Sequence, residues 1–425
     1  ETFFERKNYF YPDLPKGYQI SQYQKPFCRD GHLEIATSDK QQATKRIRIE
    51  RIHLEEDAGR LYHQGSPSAG SGQSATLIDY NRAGIPLMEL VTRPDLQMAD
   101  DVRAFAQELQ LILRYLVASD ADMEKGQMRV EVNISMRPIG QKEFGTKVEV
   151  KNINSFKYAS DAAAYEMKRQ TELLEKGEKV VQETRGWNEH KEESFSQRSK
   201  EEAHDYRYFP EPDLPPLRLS AVYVEEIRVG LPELPAVKQE RFVTRYSIEP
   251  GQAEIIAREK AVADYFEAVV SEAMQHDKET SERPKKNLVQ TVAAFMVGDF
   301  MRLLKETDAP VGEVLLTPED FAEIVVLLAE NKISNTNAKE VFEEAFRTGV
   351  DPSDFINEKG LWQMSDTGDL ENIAGHIIAE NPQVTADYRA GKTAVLQFLV
   401  GQVMKETRGK ANPGLVQEIM KKLLG

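Results

Sequence analysis

Apolar and polar residues alternate along much of the first half of the chain, whereas the second half repeats its apolar residues at helical spacing. The change falls near residue 220, and beyond about residue 250 the pattern is almost wholly helical. In 46–54, RIRIERIHL, Ile47 and Ile49 occupy one parity and Ile52 and Leu54 the other. One strand can present all four to a single core only if a bulge or bend intervenes near Glu50 and Arg51. The run 129–137 alternates more cleanly, with Val130, Val132, Ile134 and Met136 on one face and Arg129, Glu131, Asn133, Ser135 and Arg137 on the other. In 147–151, Val148 and Val150 face inward and Lys147, Glu149 and Lys151 outward, so the two runs read as an antiparallel pair. Helices are predicted over 99–117, striped by Val102, Phe105, Leu109, Leu113 and Leu116, and over 158–176, ended by Gly177. Helices beside a mixed or antiparallel sheet make this region α+β.

Pro210, Pro212, Pro215 and Pro216 bar a helix or a central strand from 205–217. The segment reads as an extended crossing anchored by Tyr206, Tyr208, Phe209, Leu214 and Leu217. Further on, Thr317, Pro318 and Asp320 form an N-cap, a first-turn proline and an N3 acid. Asn412 and Pro413 open a last helix in the same way. Helices are also predicted over about 369–381, stopped by Pro382, and over about 392–408, with breaks at 275–287 and 349–367. No fixed-period repeat is visible, which disfavours a solenoid.

A length of 425 residues allows roughly two to four domains. A single cysteine, Cys28, excludes a disulfide scaffold and a cysteine-based zinc site and fits a reducing compartment. No apolar run reaches the length of a membrane span, and ETFFERKNYF does not read as a signal peptide, so the expected location is cytoplasmic. The formal net charge of -15 argues against broad condensation on nucleic acid and leaves only local positive patches for such a partner. Residues 356–425 carry eight Lys plus Arg against eight Asp plus Glu, a neutral balance more favourable to RNA.

The densest polar cluster is HLEEDAGR, 53–60. Continued as a strand, it places His53, Glu55 and Asp57 on one face and Glu56 on the other, gathered by a turn at Ala58 and Gly59. Such oxygen ligands suit Mg2+, although a solvated acidic turn has the same composition. The outward face of the 129–151 strands, with Arg129, Glu131, Asn133, Lys147, Glu149 and Lys151, can position a polyphosphate beside an acyl group, and cross-strand ion pairing explains it equally. The GSPSAGSGQS turn at 65–74 lacks the Lys-Ser/Thr ending of a phosphate-binding P-loop and reads as a surface loop. Basic residues interleaved with apolar or aromatic ones at 45–54 and 198–209 can touch an RNA backbone or simply pack. His190 and His204 lack metal-ligand spacing, and His376 reads as structural.

RKNYFYPDLPKGYQISQY at 6–23, RIHLEEDAGR at 51–60, LIDYNRAGIPLMEL at 77–90, VEVKNINSFKYA at 148–159, QETRGWNEH at 182–190 and RSKEEAHDYRYFPEPDLPPL at 198–217 together resemble the B subunit of the aspartyl/glutamyl-tRNA amidotransferases. FLVGQVMKETRGKANPGLVQEIM at 398–420 resembles that family's YqeY-related tail. The resemblance covers essentially the whole chain and implies a cradle domain over 1–220, a helical domain over 221–355 and a tRNA-binding tail over 356–425. It also implies ATP and Mg2+, phosphorylation of the side-chain carboxylate of glutamate on tRNA(Gln) or aspartate on tRNA(Asn), and displacement of phosphate by ammonia. The implied partners are an amidase A subunit, which supplies the ammonia, and a small C subunit.

By the same resemblance Glu56 is similar to a magnesium-binding glutamate, Glu55 is its neighbour, and Lys7 matches a lysine beside the pocket. Arg129, Glu131 and Asn133 join them from the strand face. Lys7, Arg129 and Lys151 are the expected nucleotide contacts, and Asn81 and Arg82 shape the pocket walls. Members of the family place a further segment, including a GLEVH strand with metal ligands, before the RKNYF block. The chain therefore resembles a member lacking that front segment, for which a noncatalytic tRNA-binding scaffold is the alternative reading. A metal hydrolase accounts for the acids but for neither the helical tail nor the front.

Overall fold

The computed structural model describes residues 1–37, 44–64, 75–199, 206–280, 287–364, 367–407 and 409–425. The Gly/Ser-rich turn at 65–74 and His204 lie outside them. Two compact units are present, Glu1–Pro232 and Glu233–Gly425.

The first unit is α+β. Its strands are β1 (Glu5–Asn8), β2 (Tyr18–Ser21), β3 (Cys28–Ala36), β4 (Thr44–Glu56), β5 (Arg60–Gln64), β6 (Ala75–Asp79), β7 (Pro86–Thr92), β8 (Val130–Ile134), β9 (Val148–Ile153), β10 (Glu183–Asn188), β11 (Glu193–Ser199) and β12 (Phe209–Pro210). They form sheets in the orders β12-β1-β2, β3-β4-β7, β5-β6 and β11-β10-β9-β8. β8 and β9 are antiparallel, while β9 and β10 run parallel, so the last sheet is mixed. Its helices are α1 (Ala99–Tyr115), α2 (Phe156–Glu175) and α3 (Ala221–Gly230).

The long strand β4 organises this unit. Against β7 its register slips between Ile49 and Arg51, which leaves Glu50 as the extra residue of a bulge. Ile47 and Ile49 before the bulge and Ile52 after it therefore reach the same core, shared with Ile35 and with Phe105 of α1. Lys45 fastens the start of α1 to β4 through Asp101 at 2.7 Å, and Asp101 also accepts the backbone N–H groups of Gln97 and Met98.

The proline-rich crossing is extended, as its composition requires, and Pro210 sits on the edge strand β12. Of the expected anchors, Tyr206 packs against Tyr9 and Tyr208 against Tyr23, whereas Phe209, Leu214 and Leu217 are exposed. Backbone pairing of Thr2 with Leu217 and of β1 with β12 takes the place of the exposed side chains in holding the segment.

The second unit is helical: α4 (Pro235–Tyr246), α5 (Pro250–Ala257), α6 (Lys260–Thr280), α7 (Leu288–Phe295), α8 (Met301–Thr307), α9 (Pro318–Ala329), α10 (Asn335–Thr348), α11 (Pro352–Lys359), α12 (Thr367–Glu380), α13 (Pro382–Arg389), α14 (Leu396–Glu406) and α15 (Pro413–Leu424). Thr317 caps α9 by accepting the Asp320 N–H, and Asn412 caps α15 by accepting that of Leu415. The expected break at 349–367 contains α11, which Asp351 caps with Pro352 in its first turn, and Pro382 ends one helix by opening the next. One core is rich in phenylalanine, including Phe242, Phe266, Phe300, Phe321 and Phe342, with Tyr265 stacked on Phe300 at 4.8 Å. A separate aliphatic core joins α12, α14 and α15 through Leu370, Leu399, Val403, Val416 and Met420. His376 is an exposed member of α12, 3.7 Å from Glu380, and not a core residue.

Glu166 of α2 is fully buried and ties that helix to the mixed sheet. It receives Arg169 at 2.8 Å, Arg185 at 3.0 Å and the hydroxyl of Ser194. Burial opposes its ionisation, but Arg169 and Ser194 offset this and hold its pKa below the ordinary value. A pKa depressed in the folded state gives stability that is fully present above the unfolded carboxylate value and fades as pH falls through the folded one. Glu166→Ala is therefore expected to cost about 3 kcal/mol at neutral pH by leaving two guanidinium groups without their buried partner. Urea unfolding of both proteins at pH 7 and pH 3 checks this, with the gap narrowing in acid.

Candidate active site

The bulge that turns Ile52 into the core sends His53 and Glu55 to the opposite face of the sheet. His53 stands directly across from Glu89 of β7 in the strand register. Its Nε2 is 3.7 Å from an oxygen of Glu55 and 3.7 Å from one of Glu89. One ligand atom from each of the three residues falls within 4.8 Å of the others. His53 is buried, and among the described residues its Nδ1 has no hydrogen-bond partner.

Two carboxylates and an imidazole fit a divalent cation. The carboxylate oxygens suit magnesium, whose remaining positions are normally water or phosphate oxygen, and the imidazole is the softer donor. The Ser21 hydroxyl donates to Glu55 at 3.3 Å. Burial works against charge on Glu55, but the neighbouring His53 imidazole and the positive Lys7 prevail, and its pKa lies below the ordinary value. Glu55 is consequently an anion at neutral pH despite its burial.

Lys7, on β1, lies 5.0 Å from the ring centre of Tyr206 and 5.7 Å from that of Tyr9. Burial, with Asp13 and Glu55 nearby, pushes the Tyr9 hydroxyl up to about 12. Burial first, then Glu55, raises the Tyr208 hydroxyl as well, and Tyr208 stacks on Tyr23 at 4.7 Å. Both phenols stay protonated at neutral pH, so the aromatic wall beside Lys7 and Glu55 is uncharged.

The remaining predicted residues fall into other groups. Glu56 points away from the His53 cluster and accepts Lys16 at 2.6 Å and the Ile20 N–H at 2.8 Å. Asp57 does not share a site with His53 and Glu55 as strand alternation suggested, because β4 ends at Glu56 and the chain turns. Its carboxylate instead meets Arg82 at 2.9 Å and Arg129 at 3.0 Å.

Glu131 and Lys151 pair with each other at 3.0 Å, Lys151 lies 3.7 Å from Glu149, and Asn133 is exposed opposite Glu149. Although burial disfavours its charge, Glu131 and Glu149 raise the pKa of Lys151 and keep it cationic. Asn81 donates to Asp79 within its turn. Sequence reasoning missed Glu89 and the tyrosines. Glu89 is a lone acid within the apolar run PLMELVT, and only strand pairing brings it to His53.

Lys45, Arg46 and Arg48 of the 45–54 stretch line an open concavity of about 560 Å³ together with Arg93. Most of their charge is already answered. Lys45 is bound to Asp101, Arg48 to Asp95 and Arg93 to Asp30. The hydrogen bond from Arg48 holds Asp95 down at about 2.

A family model described as the GatB/GatE catalytic domain matches residues 1–225, and one described as the GatB domain of YqeY type matches residues 264–424. The chain is 47% identical over 420 residues to the B subunit of the aspartyl/glutamyl-tRNA(Asn/Gln) amidotransferase of Caldanaerobacter subterraneus, covering 99% of this chain and 84% of that protein. The protein of the same description from Persephonella marina is 47% identical over 421 residues, and that from Caldicellulosiruptor bescii 45% over 423, each with the same two coverages. No described helix is long and apolar enough to cross a membrane.

The geometry of Glu56 has a direct consequence. Replacing it as Glu56→Gln removes the charge that holds Lys16 and weakens the acceptor for the Ile20 amide, at an expected cost of about 1–2 kcal/mol. Hydrogen exchange should show the Ile20 amide losing protection while the amides of α1 keep theirs.

Proposed function

The chain belongs to the GatB/GatE family of amidotransferase B subunits, and on that premise we propose that it activates the side-chain carboxylate of a misacylated tRNA. The carboxylate of glutamate on tRNA(Gln), of aspartate on tRNA(Asn), or of both, attacks the γ-phosphorus of ATP, and ADP leaves. Ammonia from an amidase A subunit then adds to the acyl carbon and inorganic phosphate departs, leaving the amide. A small C subunit completes the assembly, and the enzyme works in the cytoplasm. The observation that carries this reading is the convergence of His53, Glu55 and Glu89 beside Lys7, within the segment matched by the catalytic-domain model.

In this reading Glu55 and Glu89, with His53, hold Mg2+. When bound, the ion neutralises charge on the phosphoryl oxygens as the group is transferred. Glu56, held by Lys16 on the other side of the strand, would join that shell only by releasing Lys16 and turning toward His53. Lys7 offers its ammonium to a phosphate or to the acyl oxygen, and the neutral tyrosines beside it exclude water from an intermediate prone to hydrolysis. Arg129 and Lys151 contact the nucleotide, and Glu131 and Asn133 orient the acyl group from the strand face. The catalytic cradle comprises residues 1–220, the helical domain 221–355 and the tRNA-binding tail 356–425. The separate aliphatic core of α12, α14 and α15 supports an independent tail, and its neutral charge suits contact with RNA by shape.

The assay combines this chain with the A and C subunits and charged tRNA, reading tRNA-dependent ADP release and amide formation. Glu55→Gln should lower ADP release on the order of 100-fold while glutamine hydrolysis by the amidase persists. A full rate in that variant would overturn the metal assignment. Normal ADP release in Glu56→Ala would remove Glu56 from the shell, and unchanged tRNA affinity after deletion of 356–425 would remove the tail contact.

A further inference from the structure

Asp57 lies just beyond β4 with its side chain buried, and each of its oxygens holds a different arginine. Arg82 reaches one oxygen at 2.9 Å from the turn between β6 and β7, and Arg129 reaches the other at 3.0 Å from the residue preceding β8. The carboxylate cannot swing away, because it also accepts the Ala58 N–H at 2.9 Å. The Asp57 backbone is fixed as well, donating to the Ile85 carbonyl at 2.7 Å and accepting the Gly84 N–H at 2.9 Å.

Each arginine spends only Nη2 on Asp57. Arg82 uses the same nitrogen for the Gly126 carbonyl at 3.2 Å. The Arg129 side chain is 63% exposed and that of Arg82 39%, against 8% for Asp57. Among the described residues Asp57 is the only side-chain partner of either arginine. Nε and Nη1 of both guanidinium groups therefore remain as donors. One buried anion cannot neutralise two cations, and the surplus charge is carried by two planar forks of the kind that grips phosphoryl oxygens.

We infer that Asp57 is a positioning residue that fixes Arg82 and Arg129 as a two-armed clamp for the phosphoryl oxygens of the nucleotide. The inference rests on the ATP-dependent reading above and deepens it: Arg82 is the second arm and Asp57 the hinge pin, neither being a metal ligand. A purely structural knot joining three segments would use the same contacts, so the test needs a readout that a knot does not move.

In the complex with the A and C subunits, ATP binding is measured by calorimetry, with orthophosphate as competitor. The KM for ATP in tRNA-dependent ADP release and thermal melting complete the set, for Arg82→Gln, Arg129→Gln, Arg129→Lys and Asp57→Asn. The expected result is a rise of about tenfold or more in Kd and KM for the two glutamine variants and for Asp57→Asn. Arg129→Lys should recover part of the loss, and Arg129→Gln should melt with the wild type because its head group faces solvent. Asp57→Asn added to the double arginine variant should lower ATP affinity no further, since Asp57 acts through the arginines. Wild-type affinity in Arg129→Gln and Arg82→Gln, with any loss confined to melting temperature, would leave a structural knot and overturn the clamp. A wild-type complex that binds ATP but releases no ADP with charged tRNA would sink the proposed reaction while the binding comparison still decided the clamp. A wild-type complex that binds neither ATP nor orthophosphate would remove both.

Discussion

The extra residue at Glu50 in β4 is the constraint on which the first unit depends. Side chains in a strand alternate between faces, so without it Ile47 and Ile49 would share a face with His53 and Glu55. The core would then have to accept an imidazole and a carboxylate, or lose its isoleucines to solvent. Burying an isoleucine stabilises by about 1.5–3 kcal/mol, whereas burying an unpaired charge costs more than that. The bulge removes the conflict locally, and it lets one continuous strand contribute both to the core under α1 and to the polar cluster on the other side.

Three carboxylates in this unit, two buried and one half-buried, show how partner choice separates structure from chemistry. Glu166 is enclosed by Arg169, Arg185 and Ser194, which saturate its oxygens and make it a fixed part of the scaffold. Asp57 is also saturated, but its arginines are partly exposed and keep donors to spare. Among the described residues Glu55 has only a distant imidazole, a long contact from Ser21 and the field of Lys7, so its anionic oxygens retain capacity for another ligand. Burial alone does not distinguish these cases. The number and geometry of the groups that answer the charge do.

The helical unit follows simpler rules. Its helices begin where a small polar side chain can accept an orphan N–H and a proline can occupy the first turn, as at Thr317, Asp351 and Asn412. Its two apolar clusters differ in kind, one built on stacked and edge-on aromatics and the other on aliphatic residues. The difference is consistent with the separate family match over 264–424 containing more than one packing unit, since each helix buries only the stripe that its own neighbours complement.

What the sequence determined by itself were the properties set by neighbours a few residues apart. They include the β4 bulge, required by the switch in isoleucine parity, the alternation of β8 and β9, the capped starts of α9 and α15, and the exclusion of helix from 205–217. Local sterics and hydrogen bonding decide each of these. The ordered motif blocks, from RKNYF to the tail, also made the family legible. Tertiary structure alone decided which distant charges meet. Glu89 joins His53 because β7 pairs with β4 in one register, Glu56 is claimed by Lys16, and Asp57 leaves the cluster because the strand ends one residue before it. Such pairings depend on the three-dimensional path that returns each segment to its partner, and the electrostatic character of a carboxylate is set by whichever group that path delivers.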